Sequence, residues 1–415
     1  MDIDDTPEEA AFRAEARAWL EANAPAKGSP DDFSQAFFDQ RADVAETMRR
    51  NAVWQRRLWD AGWAGISYPR DWYGRGGSLM QEVIFAEESA DFGVIAGAFA
   101  VAHSMVGPAI LELGTDEQRH RYIPAMLRGD EMWCQLFSEP GAGSDLAGLG
   151  TRAERDGDQW IVNGQKVWTS NADTSHHGIL LARTDPDAPK HRGITYFLVD
   201  MATPGIEVRP LRQMTGESHF SEVFLTDVAI PATAVLGGPG EVGNGWRAAV
   251  HTLANERAMI GGSQSMTDVE PVIELARRVG VLDDPVVRQE LAAAHIRMRV
   301  IAFLGYRART AISRGQAPGP ETSVVKLAFS EHFRRLASLS KALQGATGML
   351  DDADDGASVL TWRFLFSPST GIAGGTSEVQ RSIIGERVLG LPREERPLEH
   401  RREAATNREP VAANR

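Results

Sequence analysis

A short loop of small and polar residues is the part of this sequence best suited to hold a ligand. Residues 137–145 read Phe-Ser-Glu-Pro-Gly-Ala-Gly-Ser-Asp. Because glycine carries no Cβ, the backbone amides of such a loop can approach a ligand closely. An ordinary Pro-Gly turn is the alternative, but a turn rarely needs so many small polar residues in a fixed order. We therefore expect this loop to line a binding site.

A predicted β-hairpin follows the loop. The dipeptide Asn163-Gly164, the strongest short hairpin signal, lies between two strand-like runs, residues 159–162 and 165–168. Paired strands at this place would hold the loop rigid from behind. Trp168 ends the second run, and taken alone it is interpreted as a core residue of the hairpin.

The carboxylate of Glu256 is a candidate general base. A spacing of three and four residues puts Glu256 on one helix face with Leu253 and Ile260. A carboxylate on an apolar face costs free energy unless it is paired or functional, and burial raises the pKa of a carboxyl group toward values useful in proton transfer. The alternatives are an ion pair with Arg257 or another cation, and simple exposure.

Composition limits the classes of partner. The chain has 415 residues, enough for two or three domains, and 42% of them are hydrophobic, so it can bury sizeable cores. A net charge of −13 argues against a nucleic acid or an anionic membrane as partner. The single cysteine, Cys134, lies in an apolar run and excludes an intrachain disulfide; we expect a buried, unreactive thiol.

The first residues predict no secretory signal and no membrane insertion. They are acidic and lack a basic segment followed by an apolar one. The longest apolar stretch, around residues 93–102, is too short to span a bilayer. We expect a soluble, cytoplasmic protein.

Periodicity divides the chain into three parts and indicates an α+β fold. Residues 1–130 are predicted to form an all-helical domain, with a capping box at Thr6 and Glu9 and a continuous buried helix over 79–113. Short strand-like runs separated by turn residues then predict a small antiparallel β-barrel domain at 131–240. These runs are 159–162, 165–168, 178–182, 194–199, 206–208 and 223–225.

Helical periodicity returns after Gly243 and predicts an antiparallel helical bundle over 241–395. The last segment, 396–415, is rich in Arg, Glu and Asn and is predicted to be a flexible tail. The predicted helices cover residues 244–263, 267–279, 284–314, 320–348 and 376–388.

This domain order and three sequence strings resemble the acyl-CoA dehydrogenase family. The strings are the loop 137–145, residues 163–171, and Gly-Gly-Thr-Ser-Glu-Val-Gln-Arg at 374–381. The resemblance covers roughly residues 12–392. It implies FAD as cofactor and an acyl-CoA thioester as substrate. A carboxylate takes a proton from Cα and flavin N5 takes a hydride from Cβ, which gives a trans-2-enoyl-CoA. It also implies an electron-transfer flavoprotein as electron acceptor, and a homotetramer built as a dimer of dimers.

The resemblance also places the cofactor. Trp168 would pack beside the flavin ring, Ser170 would offer its hydroxyl toward N5, and the loop backbone would line the isoalloxazine and ribityl groups. Thr376 and Glu378 would contact the dinucleotide. The predicted cofactor-binding residues are Gln135, Phe137, Ser138, Gly143, Ser144, Trp168, Thr169, Ser170, Thr376 and Glu378.

The catalytic base is predicted at Glu256 because the usual position is empty. Most relatives carry a catalytic Glu where this chain has Gly374. Branches resembling isovaleryl-CoA and long-chain acyl-CoA dehydrogenases carry it instead on a bundle helix, directly before an Arg, as in Glu256-Arg257 here. The N–H of Gly374 would still bond the thioester carbonyl, and its missing side chain would leave room for branched or bulky acyl groups. Ser144 and Arg257 would contact the substrate, with pairing of Arg257 inside the bundle as the alternative.

Two regions depart from the family pattern. The common Arg-x-x-Phe-Gly string is replaced by residues 276–281, and the usual Gly-Gly-x-Gly by residues 342–348. Such departures also occur where two different subunits share the flavin sites, so a heteromer is conceivable. The alternative functions are a non-catalytic or half-site subunit and an acyl-CoA oxidase; the acidic composition argues against a DNA-associated relative. The acidic run 351–356 lacks the ligand spacing of a calcium loop, and no metal is expected.

Overall fold

The chain forms two helical regions on either side of a β-sheet. The structure, a computed structural model, describes residues 5–34, 44–94, 99–261, 267–314, 319–350 and 357–393. The order of helices, sheet and helices confirms the predicted α+β architecture. The exact domain boundaries stay predictions. Within the described residues, none of the helices is both long and apolar enough to cross a bilayer.

The N-terminal helices pack around a cluster of aromatic rings. The described helices are α1 (Pro7–Asn23), α2 (Val44–Asp60), α3 (Leu79–Ser89), α4 (Gly107–Leu113) and α5 (Asp116–Arg128). The capping box is confirmed: the Thr6 N–H donates to Glu9 Oε2 at 2.8 Å, and the Glu9 N–H donates to Thr6 Oγ1 at 3.2 Å. Trp63 stacks on Phe85 and meets the edge of Phe12, so α1 and α3 share one core.

The prediction of one continuous helix over 79–113 is wrong. Helix α3 ends at Ser89, and a π-helical turn, Val101–Val106, precedes α4. Between them, the backbone of Gly93 forms hydrogen bonds with two other segments. Its N–H donates to Pro25 O at 2.8 Å, and its carbonyl accepts from Phe33 N at 3.0 Å. A Cβ on Gly93 would lie 2.9 Å from the Cα of Asp32, so this crossing needs glycine. The apolar composition could not reveal a backbone contact of this kind.

The middle region is a mixed sheet, which corrects the purely antiparallel prediction. Its described strands run in the order β1-β4-β2-β3-β7-β6, and β5 pairs with β4. Strand β4 is parallel to β1 and β2, and the remaining pairs are antiparallel. Strands β4 and β5 are buried on both faces, so they read as unbroken apolar runs that give no sign of strand direction. The strands are β1 (Trp133–Leu136), β2 (Arg152–Asp156), β3 (Gln159–Ser170), β4 (His177–Arg183), β5 (Ile194–Asp200), β6 (Ile206–Leu211) and β7 (Phe220–Pro231).

The predicted hairpin at Asn163-Gly164 is also wrong. Strand β3 runs straight through this dipeptide, and the hairpin turn lies earlier, at Gly157, where φ is +56°. The Asn163 side chain instead bonds Asp227 of β7, with its Nδ2 3.0 Å from Asp227 Oδ1. The pairing of β3 with β7 shifts register at this point, as in a β-bulge. Asn-Gly therefore marks an irregularity within a strand here.

Helix α9 lies at the centre of the C-terminal bundle. It contacts α6, α7, α8, α10 and α11. The predicted helices are confirmed to within a few residues, except that the last one becomes π-helical after residue 383. Residues 351–356 and the predicted tail at 396–415 lie outside the described residues. The described bundle helices are α6 (Gly245–Gly261), α7 (Glu270–Arg278), α8 (Pro285–Ser313), α9 (Thr322–Gln344), α10 (Ala357–Thr370) and α11 (Ser377–Ile383).

Candidate active site

A buried ion pair fixes the loop 137–145. Lys166 of β3 is fully buried, and its Nζ lies 2.8 Å from Glu139 Oε1 and 3.1 Å from the Phe137 carbonyl. Glu139 also accepts from the N–H groups of Gly150 and Thr151, at 2.6 and 2.9 Å. Two strands and the start of the loop are thus joined at one carboxylate. The sequence analysis did not single out this pair.

Burial and the ion pair shift the pKa values of both Lys166 and Glu139. Burial lowers the pKa of Lys166 to about 8, although Glu139 acts in the opposite direction. Burial alone would raise the pKa of Glu139, but Lys166 and the hydrogen-bond donors hold it below its ordinary value. At neutral pH the pair is therefore ionised, and the loop is anchored by a charge-assisted bond.

The outer surface of this loop is open. A Cβ on Gly141 or Gly143 would meet no other atom within 4 Å, and Ser144 is exposed. The side chain of Phe137, in contrast, is buried against Tyr196, so only its backbone is available to a ligand. Gln135 and Ser138 are half-buried. The loop thus presents small and polar residues at the surface, and its role in binding stays a prediction.

Trp168 is an exposed aromatic ring on a strained backbone. Its φ is +60° and its exposed fraction is 60%, so it is not a core residue of the sheet. Among the described residues, the ring contact of Trp168 is with the edge of Phe220, with centroids 6.0 Å apart. Non-glycine residues with positive φ are uncommon and occur preferentially at functional sites. The Val167 N–H donates to the Ser138 carbonyl at 2.9 Å, which places Trp168 beside the loop.

The two residues after Trp168 differ in exposure. Thr169 is fully buried, and its Oγ1 has no hydrogen-bond partner among the described residues. Ser170, at the end of β3, is half-buried. Of the pair, Ser170 is therefore the one with a hydroxyl that can reach a ligand.

Glu256 faces the sheet rather than bulk water. Its side chain is half-buried on α6, and its Oε2 accepts a hydrogen bond from Gln135 Nε2 at 3.4 Å. Gln135 lies on β1, three residues before Ser138. This contact links the candidate base to the strand that leads into the loop. The side chain of Arg257 lies outside the described residues, so its predicted role stays a prediction.

A turn with two left-handed glycines lies before α11. Gly374 and Gly375 have φ of +66° and +91°. Their carbonyls accept from Gln380 Nε2, at 2.9 and 3.2 Å. Within the described part of the chain, neither glycine N–H has an acceptor. The turn therefore presents two unused donors.

Thr376 and Glu378, which are predicted to contact the dinucleotide, come directly after this turn in the chain. Thr376 caps α11 and accepts from Val379 N at 3.3 Å, and Glu378 is exposed in the first turn of that helix. An acidic residue at this end is favoured by the helix dipole. The Thr376 hydroxyl thus caps the helix, whereas the Glu378 carboxylate faces solvent.

Lys326 connects the turn electrostatically to Glu256. This fully buried lysine of α9 donates to the carbonyls of Thr370 and Gly375, at 3.1 and 2.8 Å. Burial lowers the pKa of Lys326, and the negative charges of Glu256 and Glu378 act against that shift. The sequence analysis missed Lys326, although its spacing with the buried Phe329 and Phe333 puts it on the inner face of α9.

The structure also bears on the predictions for the single cysteine and for metal ligands. Cys134 is fully buried, and burial raises the pKa of its thiol to about 12, which confirms an unreactive side chain. Among the described residues, no three His, Cys, Asp or Glu side chains are grouped so that they could hold a metal ion. Arg277, one substitute for the missing family arginine, is exposed and pairs with Glu274 on its own helix.

Family models and known proteins match this arrangement. The N-terminal, middle and C-terminal domain models of acyl-CoA dehydrogenases match residues 6–130, 134–228 and 243–389. The chain is 37% identical over 402 residues to acyl-CoA dehydrogenase IpdE1 of Mycobacterium tuberculosis (strain ATCC 25618 / H37Rv), covering 92% of this chain and 98% of that protein.

Two solved structures are also similar at 28% identity. One is the Tcur3481-Tcur3483 steroid ACAD, with a TM-score of 0.79 over 95% of this chain and 100% of that chain. The other is the ChsE4-ChsE5 complex from Mycobacterium tuberculosis, with a TM-score of 0.75 over the same shares of the two chains. The likeness therefore extends over the whole of those chains and includes all three parts of the fold.

Proposed function

Because this chain belongs to the acyl-CoA dehydrogenase family, whose members are FAD-dependent oxidoreductases, we propose that it converts an acyl-CoA thioester to a trans-2-enoyl-CoA with Glu256 as the base. The observation that carries this proposal is the position of the Glu256 carboxylate. It is half-buried and accepts a hydrogen bond from Gln135 of β1. Its negative charge also interacts with a buried cation, Lys326.

The residues present fit the FAD cofactor. An exposed indole at Trp168 offers a flat apolar face, and the glycines of the neighbouring loop leave space for a ligand to approach the backbone. Ser170 places a hydroxyl at the end of the same strand. When bound, FAD supplies the acceptor, flavin N5, for the hydride that leaves Cβ.

Glu256 would remove the proton from Cα. The Cα–H bond breaks, its proton goes to a Glu256 carboxylate oxygen, and its electron pair forms the new double bond as the hydride leaves Cβ. The Gln135 hydrogen bond orients the carboxylate for this step. Gly374, which stands where relatives carry the base, has no side chain and a left-handed backbone.

The Gly374 turn would polarise the thioester carbonyl. Negative charge develops on the carbonyl oxygen as the Cα proton leaves, and N–H donors aimed at that oxygen stabilise it. The N–H groups of Gly374 and Gly375, which have no acceptor among the described residues, support this role. Removing one such donor typically costs about 10²–10³ in rate.

The acyl group is proposed to be bulky and ring-containing. The missing side chain at Gly374 leaves space near Cα and Cβ, and one similar solved structure is named a steroid ACAD. Ser144, exposed on the loop, and Arg257 are proposed substrate contacts. Electrons are proposed to pass to an electron-transfer flavoprotein.

Two alternative assemblies are proposed: a homotetramer, and a heteromer with a second type of subunit. Both similar structures described above are named after two proteins, Tcur3481-Tcur3483 and ChsE4-ChsE5. Co-purification with the product of a second acyl-CoA dehydrogenase gene, followed by mass measurement of the intact assembly, separates the two. A half-site subunit would gain bound FAD and turnover only with its partner.

Anaerobic titration tests the function. The purified FAD protein is mixed with straight-chain and ring-substituted acyl-CoA thioesters, while the visible flavin absorbance is followed. Loss of that absorbance with formation of the enoyl-CoA, best with ring-substituted thioesters, is the expected result. No bleaching by any thioester would contradict the function, and a preference for short linear chains would contradict the pocket. Hydrogen peroxide formed in air at the turnover rate would indicate an oxidase.

A further inference from the structure

Lys326 is a buried cation with an unusual set of partners. Its side chain is fully buried, yet among the described residues no carboxylate lies within ion-pair distance of its ammonium. Its hydrogen bonds go to two backbone carbonyls instead. Burying an ammonium group without a paired carboxylate is costly, so such a residue is retained where its charge or its geometry is needed.

The ammonium anchors both sides of the glycine turn. It binds the carbonyl of Thr370 on one side and that of Gly375 on the other, and Gln380 binds the carbonyl of Gly374. Because a peptide unit is planar and trans, each carbonyl held inward turns the following N–H outward. In this way the Gln380 bond fixes the peptide plane between residues 374 and 375, and the Lys326 bond to the Gly375 carbonyl fixes the plane between residues 375 and 376. The plane between residues 373 and 374 carries the Gly374 N–H and lies between the anchored carbonyls of Thr370 and Gly374.

The same ammonium acts on the candidate base. Burial lowers the pKa of Lys326, and the charges that oppose this effect belong to Glu256 on α6 and Glu378 on α11. Helix α10 contributes the Thr370 carbonyl, and Arg297 of α8 acts on His332, further along α9. Electrostatic interaction is reciprocal, so a cation that feels Glu256 also favours the ionised form of that carboxylate.

From this geometry we propose that Lys326 is a positioning residue for the reaction: it holds the Gly374–Gly375 turn with its amides toward the thioester, and its charge favours the ionised form of Glu256. This inference rests on the function proposed above. It adds a buried residue whose role is exerted through the turn and the base.

A charge-specific pH shift tests the proposal. Lys326→Met removes the ammonium, and Lys326→Arg keeps a charge. Ser330→Ala is the matched control, because Ser330 Oγ donates to the same Thr370 carbonyl at 2.6 Å without carrying charge. Each FAD-loaded variant is checked first for flavin content and melting temperature.

Two measurements are then made. The first is a pH titration of bound acetoacetyl-CoA, whose enolate absorbs in the near ultraviolet; it reports charge stabilisation without turnover. The second is the pH profile of anaerobic flavin reduction by an acyl-CoA. In Lys326→Met we expect the enolate to form about one pH unit higher and the acidic limb of the rate profile to move up by a similar amount, which is about a tenfold loss of rate at pH values below the wild-type limb. Lys326→Arg and Ser330→Ala should keep both profiles near that of the wild type.

The outcomes separate this inference from the proposed function. If the wild type binds FAD but no acyl-CoA reduces it, the proposed function fails. If the wild type is reduced and Lys326→Met keeps both pH profiles, the role of Lys326 is overturned. An equal shift in Ser330→Ala, which removes no charge, would overturn the proposal that the charge of Lys326 causes the shift. Should Lys326→Met not fold, Lys326→Gln, which keeps a donor without a charge, must show the same shift.

Discussion

Gln135 Nε2 donates a 3.4 Å hydrogen bond to Glu256 Oε2, and this contact joins strand β1 to helix α6. Strand β1 leads directly into the loop that is proposed to line the flavin. Helix α6 carries the only carboxylate for which we propose proton abstraction. One side-chain contact thus fixes the relative position of the base and the cofactor loop across two regions of the fold.

Breaking the ion pair beneath the loop should destabilise the middle region. Lys166→Met leaves the Glu139 carboxylate largely buried without its cation, and we expect a loss of about 3–5 kcal/mol in the free energy of unfolding. The double variant Glu139→Gln with Lys166→Met removes both charges and should lose less than the sum of the single variants. Urea unfolding followed by tryptophan fluorescence measures this. Additive losses would show that the two side chains act independently.

The same lysine predicts a pH dependence of stability. Burial lowers the pKa of Lys166 to about 8 in the native state, whereas an unfolded lysine titrates near 10.4. Between these values the unfolded chain binds more protons, so the contribution of Lys166 to the free energy of unfolding rises with pH, by at most about 1.4 kcal/mol per unit. Urea unfolding of wild type and Lys166→Met at pH 7 to 10 tests this. Identical pH dependence in both proteins would contradict it.

Trp168 should matter for the cofactor and little for folding. Its ring is 60% exposed, so Trp168→Ala removes a stacking surface without emptying a core. We expect roughly tenfold weaker FAD binding, equivalent to about 1.4 kcal/mol. Trp160→Ala is the control: that ring is buried against Phe197, and its loss should cost about 3–5 kcal/mol of stability. Titration of FAD into apoprotein gives the dissociation constants. Unchanged affinity in Trp168→Ala would refute the stacking role.

Gly374→Ala should slow the reaction. At a φ of +66° an added Cβ costs about 1–2 kcal/mol, so the turn would relax and shift its N–H groups. We expect slower anaerobic flavin reduction with little change in FAD content. Gly305→Ala on α8 is a matched control, because its Cβ would meet no other atom within 4 Å. Equal rates for wild type and Gly374→Ala would exclude the turn from catalysis.

Local sequence signals predicted most helices but misplaced one turn. Thr6 and Glu9 form the expected capping box because both partners lie within one helical turn. Asn163-Gly164 failed as a hairpin because the Asn side chain bonds Asp227, 64 residues away. The helix predicted over 79–113 is interrupted for a similar reason, since the backbone of Gly93, just beyond the end of α3, pairs with Pro25 and Phe33. Contacts between distant segments overrode the local preference in both cases.

In the candidate site, too, some residues could be predicted from the sequence and others could not. Gln135, Trp168 and Glu256 could be proposed from the sequence because the strings that carry them resemble those of the acyl-CoA dehydrogenase family. The buried lysines 166 and 326 were missed, although alternation with Trp160 and Val162 points Lys166 inward. A charged residue on an inner face is an informative signal, and its partner becomes visible only when the chain is folded.

Anaerobic flavin reduction in Glu256→Gln tests the central claim most directly. Wild type, Glu256→Gln and the exposed control Glu154→Gln are each mixed with the best ring-substituted acyl-CoA in a stopped-flow spectrophotometer. The amide cannot accept the Cα proton, so we predict that Glu256→Gln retains FAD but is reduced at least on the order of 100-fold more slowly, while Glu154→Gln matches the wild type. Equal rates of reduction in Glu256→Gln and wild type would contradict the account.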